Sequence, residues 1–154
     1  MIKVEQKASY KEGKQQMNDR IFNRLTIEIN KAYYTCTRYK ILSTFAYLYH
    51  EKELTPAELG NFVRISDQFL QVDEHHYFIN FSHTEQDGAF KASQNLLLYL
   101  DKHFNTTTSC IAIDTFNVSQ SPKIVLNRLV QILDETRKNS YTRIEDEDIL
   151  NGII

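Results

Sequence analysis

The run ILSTFAYLY, residues 41–49, constrains the fold more than any other part of the chain. It is apolar or aromatic at odd and even positions alike, so neither face of an extended segment can be left in water. Its Thr, Phe and Tyr residues favour strand over helix. Such a strand belongs in the interior of a sheet, with layers packed on both sides. The remaining sequence must then supply flanking strands and two sets of covering elements.

Those elements can be read from spacing and caps. From about Asn18 to Arg38, the residues Phe22, Leu25, Ile29, Ala32, Tyr33 and Cys36 follow the three-to-four spacing of a helix with one buried face. Thr55-Pro56-Ala57-Glu58 has the composition of a helix start: Thr55 as cap, Pro56 at the first helical position and Glu58 at the capping-box position. That helix is expected to end near Arg64. Strands around 68–72 and 77–81 flank the polar DEHH, which predicts a hairpin. Thr84-Glu85-Gln86-Asp87 predicts the start of a longer helix reaching about Phe104, with Ala89, Ala92, Leu96, Leu100 and Phe104 facing inward. TTTSCIAIDTF, residues 106–116, reads as another strand. Ser121-Pro122 opens a last helix that buries Leu126, Leu129, Val130 and Leu133, and SYTRIE is a candidate closing edge strand.

The order is that of the split β-α-β-β-α-β arrangement. The expected fold class is α+β, ferredoxin-like or nucleotide-cyclase-like, with an antiparallel sheet of four to five strands and packed helices. Residues 1–17 read as a polar lead-in or connector, 18–144 as the domain, and 145–154 as an acidic, loosely held C-terminal tail.

Composition narrows the function classes. The 154 residues suit one domain, and a net charge of −2 with no basic run argues against a nucleic-acid partner. No apolar run approaches the length of a membrane span and the start has no signal-peptide core, so no membrane insertion is expected. Cys36 and Cys110 lie in different elements without a CxxC pair, which points to a reduced, cytoplasmic setting. No phosphate-binding glycine loop and no Ser-His-Asp or Cys-His pattern can be read, so no catalytic residues and no cofactor are assigned. Tyr33, Tyr34, Tyr39, Tyr47 and Tyr49 crowd the first helix and strand, where an exposed subset would suit a protein partner or homodimer.

Two short motifs remain. Asp73-Glu74-His75-His76 reads as a solvated hairpin turn, as a metal site, or as the remnant of an active site. No third metal ligand is apparent, and no metal residue is assigned. Arg64-Ile65-Ser66-Asp67 places a guanidinium three residues before a carboxylate. That pair, read from the residues alone, suits a surface ion pair of little energetic value.

These motifs stand in an order that resembles a GGDEF domain, the diguanylate cyclase family of bacterial signalling proteins. NDRIFNRLTIEINKA is similar to the family's NR-x-x-F stretch and first helix, with one extra residue. Asp67, QFLQV, DEHHY, FINFSH and TEQDGA then follow the family's spacing without a gap. On that register Asp73, Glu74, His75, His76 and Tyr77 occupy the place of the Gly-Gly-Asp-Glu-Phe signature. The resemblance covers roughly residues 18–144. It implies a degenerate member, because side chains at 73 and 74 obstruct the approach of GTP that glycines allow. His76 replaces an acid. The family's metal-binding Asp falls near Leu48, with no carboxylate among Tyr47, Leu48, Tyr49 or His50. Magnesium-dependent phosphoryl chemistry needs such oxygen ligands. The segment 51–66 is also about a helix shorter than the family's guanine-recognising region. Arg64 and Asp67 match the family's inhibitory RxxD, five residues before the signature, which binds cyclic di-GMP. The resemblance thus implies an inactive signalling domain acting through protein–protein interaction. The alternative is a cyclic di-GMP receptor through Arg64 and Asp67, both expected to project from an exposed surface. A divergent nucleotidyl cyclase-like enzyme is a more distant alternative.

Overall fold

The computed structural model describes residues 17–139 and 141–153. The lead-in expected over 1–17 therefore lies outside the described residues, apart from Met17. Helix α1 (Asp19–Tyr39) is capped by Asn18, whose side chain accepts the Ile21 N–H at 2.9 Å, and it closes on Lys40 in the left-handed conformation. Strand β1 (Ser43–Tyr49) follows, then the single-turn helix α2 (Pro56–Gly60) with the Thr55–Glu58 capping box formed in both directions. Helix α2 stops at Gly60, earlier than the sequence predicts, because residues up to Asp67 are drawn into a separate turn described below.

The hairpin strands are β2 (Gln68–Gln71) and β3 (His76–Ser82), followed by α3 (Gln86–Phe104), β4 (Cys110–Asp114), α4 (Pro122–Lys138) and β5 (Ile144–Glu145). Ser121 caps α4 through the Ile124 N–H, as its Ser-Pro start predicts. At α3 the cap is Glu85 without a side-chain bond, because the Thr84 hydroxyl is engaged elsewhere.

The sheet order is β2-β3-β1-β4-β5, with β1 in the middle. It pairs antiparallel with β3 along its whole length, from Ser43↔Ser82 to Tyr49↔His76, and antiparallel with β4 on its other side. The sheet is not antiparallel throughout: β5 runs parallel to β4, because α4 carries the chain back across before the last strand. Strand alternation divides the core in two. Phe45, Tyr47 and Phe78 face Leu25 and Ile29 of α1 and Leu126, Leu129 and Leu133 of α4. Ala46, Leu48, Tyr77, Ile79 and Phe81 face Leu96 and Leu100 of α3 and Leu59 of α2.

Two bidentate ion pairs fasten the periphery. Arg128 of α4 donates to Asp114 at the end of β4 at 2.7 and 2.8 Å. Arg143 donates to Asp101 of α3 at 2.8 Å through each of two nitrogens and to the Ser109 carbonyl at 2.9 Å, bringing the chain to the β5 edge. The C-terminal segment is not loose as expected. Residues Glu147–Ile153 form a 3-10 helix whose Ile149 and Leu150 pack against the core. Gln86 donates to Asp146 and Glu147, and the Thr115 hydroxyl donates to Glu147. The acidic composition hid two apolar anchors.

Leu48 is fully buried in the central strand. Leu48→Ala is expected to lower unfolding stability by about 2–5 kcal/mol, the range for a cavity left by a core leucine. Urea titration checks this, and a loss near zero would contradict the interior placement of β1.

Candidate functional site

The turn from Asn61 to Asp67 joins α2 to β2 and is built around the Asp67 carboxylate. The Asp67 side chain is 1% exposed. Its oxygens accept from the Arg64 backbone N–H at 3.0 Å, from Arg64 Nε at 3.1 and 3.2 Å, and from Arg64 Nη2 at 2.7 Å. Arg64 Nη2 also donates to the Thr84 hydroxyl at 2.7 Å, and that hydroxyl donates to the Ser82 carbonyl at 2.7 Å. A guanidinium thus ties the α2–β2 turn to the β3–α3 corner, with its carbon 5.9 Å above the Phe81 ring. Only one of the two residues projects as expected. Asp67 is buried and engaged, while the Arg64 side chain is half exposed and its Nη1 makes no hydrogen bond among the described residues.

That exposed edge borders a groove of about 620 Å³ between the 61–67 turn and α3. Phe62 and Tyr99 wall one end, their rings 6.3 Å apart and inclined by 25°. Lys91 and Asn95 of α3 line the groove together with Arg64, and Phe81 contributes from the sheet. Gly88 keeps the α3 start close to the corner, since a Cβ there would stand 3.0 Å from the Thr84 methyl. The groove is apolar at its walls and carries two cations with carboxamides, a combination suited to a flat, anionic ligand.

The other motif lies beyond the far end of β2, between β2 and β3. Asp73 closes the β2–β3 turn by accepting the His75 N–H at 2.8 Å and meeting His76 Nδ1 at 2.8 Å. Burial alone would raise its pKa, but the bonds from His76 and the His75 backbone hold it below the usual value. No turn residue has positive φ, so this hairpin does not require glycine. The His76 ring stacks on Tyr47 at 5.6 Å and 23°, and Arg137 of α4 sits 3.6 Å over the neighbouring Tyr49 ring. Glu74 points into solvent, and the buried Tyr77 hydroxyl donates to the Leu54 carbonyl at 2.6 Å. Leu48 faces the other layer, away from His76. Among the described residues, no three His, Cys, Asp or Glu side chains are grouped so that they could hold a metal ion.

No protein-family model matches the sequence, and no curated protein matches it. Among solved structures, the chain is similar to the GGDEF domain of DgcB from Caulobacter crescentus in complex with c-di-GMP. The TM-score is 0.63 at 8% identity, covering 79% of this chain and 87% of that one. It is also matched to PelD 158-CT from Pseudomonas aeruginosa PAO1 with a TM-score of 0.45 at 15% identity, over 84% of this chain and 49% of that one, so it spans about half that chain. The chain has a GGDEF-like fold.

Within the GGDEF-like fold, Asp73–Tyr77 form the hairpin turn and Arg64–Asp67 the turn before β2. The two motifs lie at opposite ends of β2, one before Gln68 and the other after Gln71. Sequence reasoning missed Thr84 as the third member of the Arg64 clasp, and it missed the α3 wall. Lys91, Asn95 and Tyr99 recur every four residues among apolar neighbours, a signal of a shared helix face that could have been read.

At the end of β1, the fully buried His50 holds Ser109 Oγ at 2.7 Å through Nδ1 and packs 4.5 Å from the Phe104 ring. Burial pushes its pKa down, opposed by Glu51, Glu58 and Asp101. The unfolded chain then takes up this proton first as pH falls. Stability is full above about pH 6.5, the ordinary histidine value, and declines below it. Urea midpoints between pH 7.5 and 5 are expected to fall more steeply for the wild type than for His50→Gln, and equal slopes would remove His50 as the cause. Separately, Arg64→Ala strands a buried carboxylate and is expected to cost about 3 kcal/mol at neutral pH, the low end of the range for a broken buried pair. A loss below about 0.5 kcal/mol would reduce the clasp to an ordinary surface pair.

Proposed function

We propose that this chain is a catalytically inactive, GGDEF-fold signalling domain that receives cyclic di-GMP in the groove beside Arg64. The groove itself carries the reading. Its aromatic pair, Phe62 and Tyr99, offers surface for a purine ring, while Arg64 and Lys91 offer charge to the ligand's phosphates. The buried Asp67 orients Arg64 toward the groove and is neutralised by it. The DgcB domain of similar fold was solved with c-di-GMP, which makes this ligand the first to test here.

Inactivity rests on chemistry. Two-metal transfer from GTP needs carboxylates at the first strand and hairpin, and those positions hold Tyr47, Leu48, Tyr49 and His76. The unpaired Cys36 and Cys110 go with a reducing, cytoplasmic setting in a bacterial signalling system.

A second reading, interaction with a protein partner or another copy, is favoured by the outer face of α1. Ile27 and Tyr34 stand seven residues apart and are 57% and 60% exposed. That face is free to serve a partner whether or not the groove is filled.

Calorimetry on the whole chain is expected to show cyclic di-GMP binding near micromolar strength, about −8 kcal/mol. Lys91 is exposed and makes no side-chain hydrogen bond or ion pair among the described residues, and Lys91→Ala is expected to weaken binding about tenfold. Added salt should weaken it further, since the ligand is a dianion. Incubation with GTP and magnesium should yield no cyclic di-GMP. No heat at ligand concentrations near a millimolar would end the receptor reading in favour of the interaction module, and enzyme-dependent product would end the claim of inactivity.

A further inference from the structure

A second cavity, of about 280 Å³, lies between α1 and the β2–β3 edge of the sheet. Asn80 stands between Ile79 and Phe81 in β3, so alternation turns it away from the Arg64 groove and toward α1. It is 5% exposed, and its Oδ1 is buried without a hydrogen-bond partner. Buried carboxamides are ordinarily satisfied, so this oxygen calls for a donor from outside the described residues. Leu70 and Phe78 line the cavity beside it.

Cations stand at the rim. Arg24, Glu28 and Lys31 of α1 all line the cavity, joined by Gln68 from the edge strand. Arg24 makes no ion pair among the described residues, and Lys31 meets only Glu28, at 3.7 Å. Glu28 offsets one of the two positive charges and leaves the other without a partner. An acceptor lacking a donor lies inside, and a cation lacking an anion lies at the mouth.

We propose that this cavity binds a small oxyanion that also carries an O–H donor, the chemistry shared by a hydroxycarboxylate and a hydrogen phosphate group. The anionic oxygens take the Arg24 guanidinium, Lys31 being engaged by Glu28, and the hydroxyl donates to Asn80 Oδ1. The site is separate from the groove beside Arg64, and its occupancy does not depend on what that groove binds.

The test is a titration of the uniformly 15N-labelled whole chain with sodium acetate, glycolate and phosphate at constant ionic strength. Resonances of the Asn80 carboxamide and of residues 78–80 are followed. Acetate has the charge without the donor, glycolate has both on a carboxylate, and phosphate has both on a phosphoryl group. Saturable shifts are expected with glycolate, phosphate or both, the better one identifying the ligand class. The midpoint should be at least about threefold lower than for acetate, because a hydrogen bond is added. Arg24→Gln, on the helix surface, should raise that midpoint about fivefold or more by removing the charge-assisted contact. Asn80→Ala should erase the advantage over acetate. Shifts that rise linearly with all three anions, acetate binding as tightly as the others, or an unchanged midpoint in Arg24→Gln would each overturn the proposal and leave ordered water as the partner of Asn80. Arg24→Gln keeps the test decisive should Asn80→Ala not fold.

Discussion

The burial of β1 on both faces is the constraint on which the rest of the structure depends. Its seven residues pair with β3 on one side, and most pair with β4 on the other. A slip of one residue would exchange the two faces, setting Tyr47 where Leu48 belongs. The volumes differ enough that neither layer would pack. The fixed register then decides what every neighbour can do. It sets His76 beside Tyr47 on the α1–α4 side and Tyr77 beside Leu48 on the α3 side, so one hairpin presents different chemistry to each face.

Three arginine–carboxylate pairs tie turns and helices around this sheet, Arg64 and Arg128 through Nε and Nη2 and Arg143 through both Nη atoms. Asp67, Asp101 and Asp114 are each gripped by two guanidinium nitrogens from a nearby turn or helix. Planar bidentate pairing supplies direction as well as attraction, which lysine at the same positions would not. At Arg64 the clasp fixes the guanidinium by one edge and leaves another edge bordering the groove. In the proposed receptor that edge is a cation positioned before the ligand arrives, and stability and recognition would share the residue.

The hairpin shows how a tight turn can close without glycine. Asp73 replaces backbone freedom with a side-chain acceptor: its carboxylate takes the His75 N–H and pairs with His76. The turn is also tied to the end of β1, where the His50 N–H donates to the His75 carbonyl at 2.9 Å.

Much of the fold was legible because its signals are local. The unbroken run at 41–49, the Asn18, Thr55 and Ser121 caps, and the helical stripes of Leu25, Ile29, Leu96, Leu126 and Leu129 depend on neighbours a few residues away. They determined element type, sheet membership and the two-layer core. The tertiary structure alone decided the rest, since it turns on groups distant in sequence. Whether Asp67 faced solvent depended on Arg64 reaching both it and Thr84. Whether the acidic end was a tail depended on Gln86 and Thr115 receiving Asp146 and Glu147. The groove exists only because α3 returns past the 61–67 turn, and the unpartnered Asn80 only because α1 bridges the sheet edge above it. Periodicity says which face of a strand is buried; it does not say which side chain will stand opposite, and that opposition makes a site.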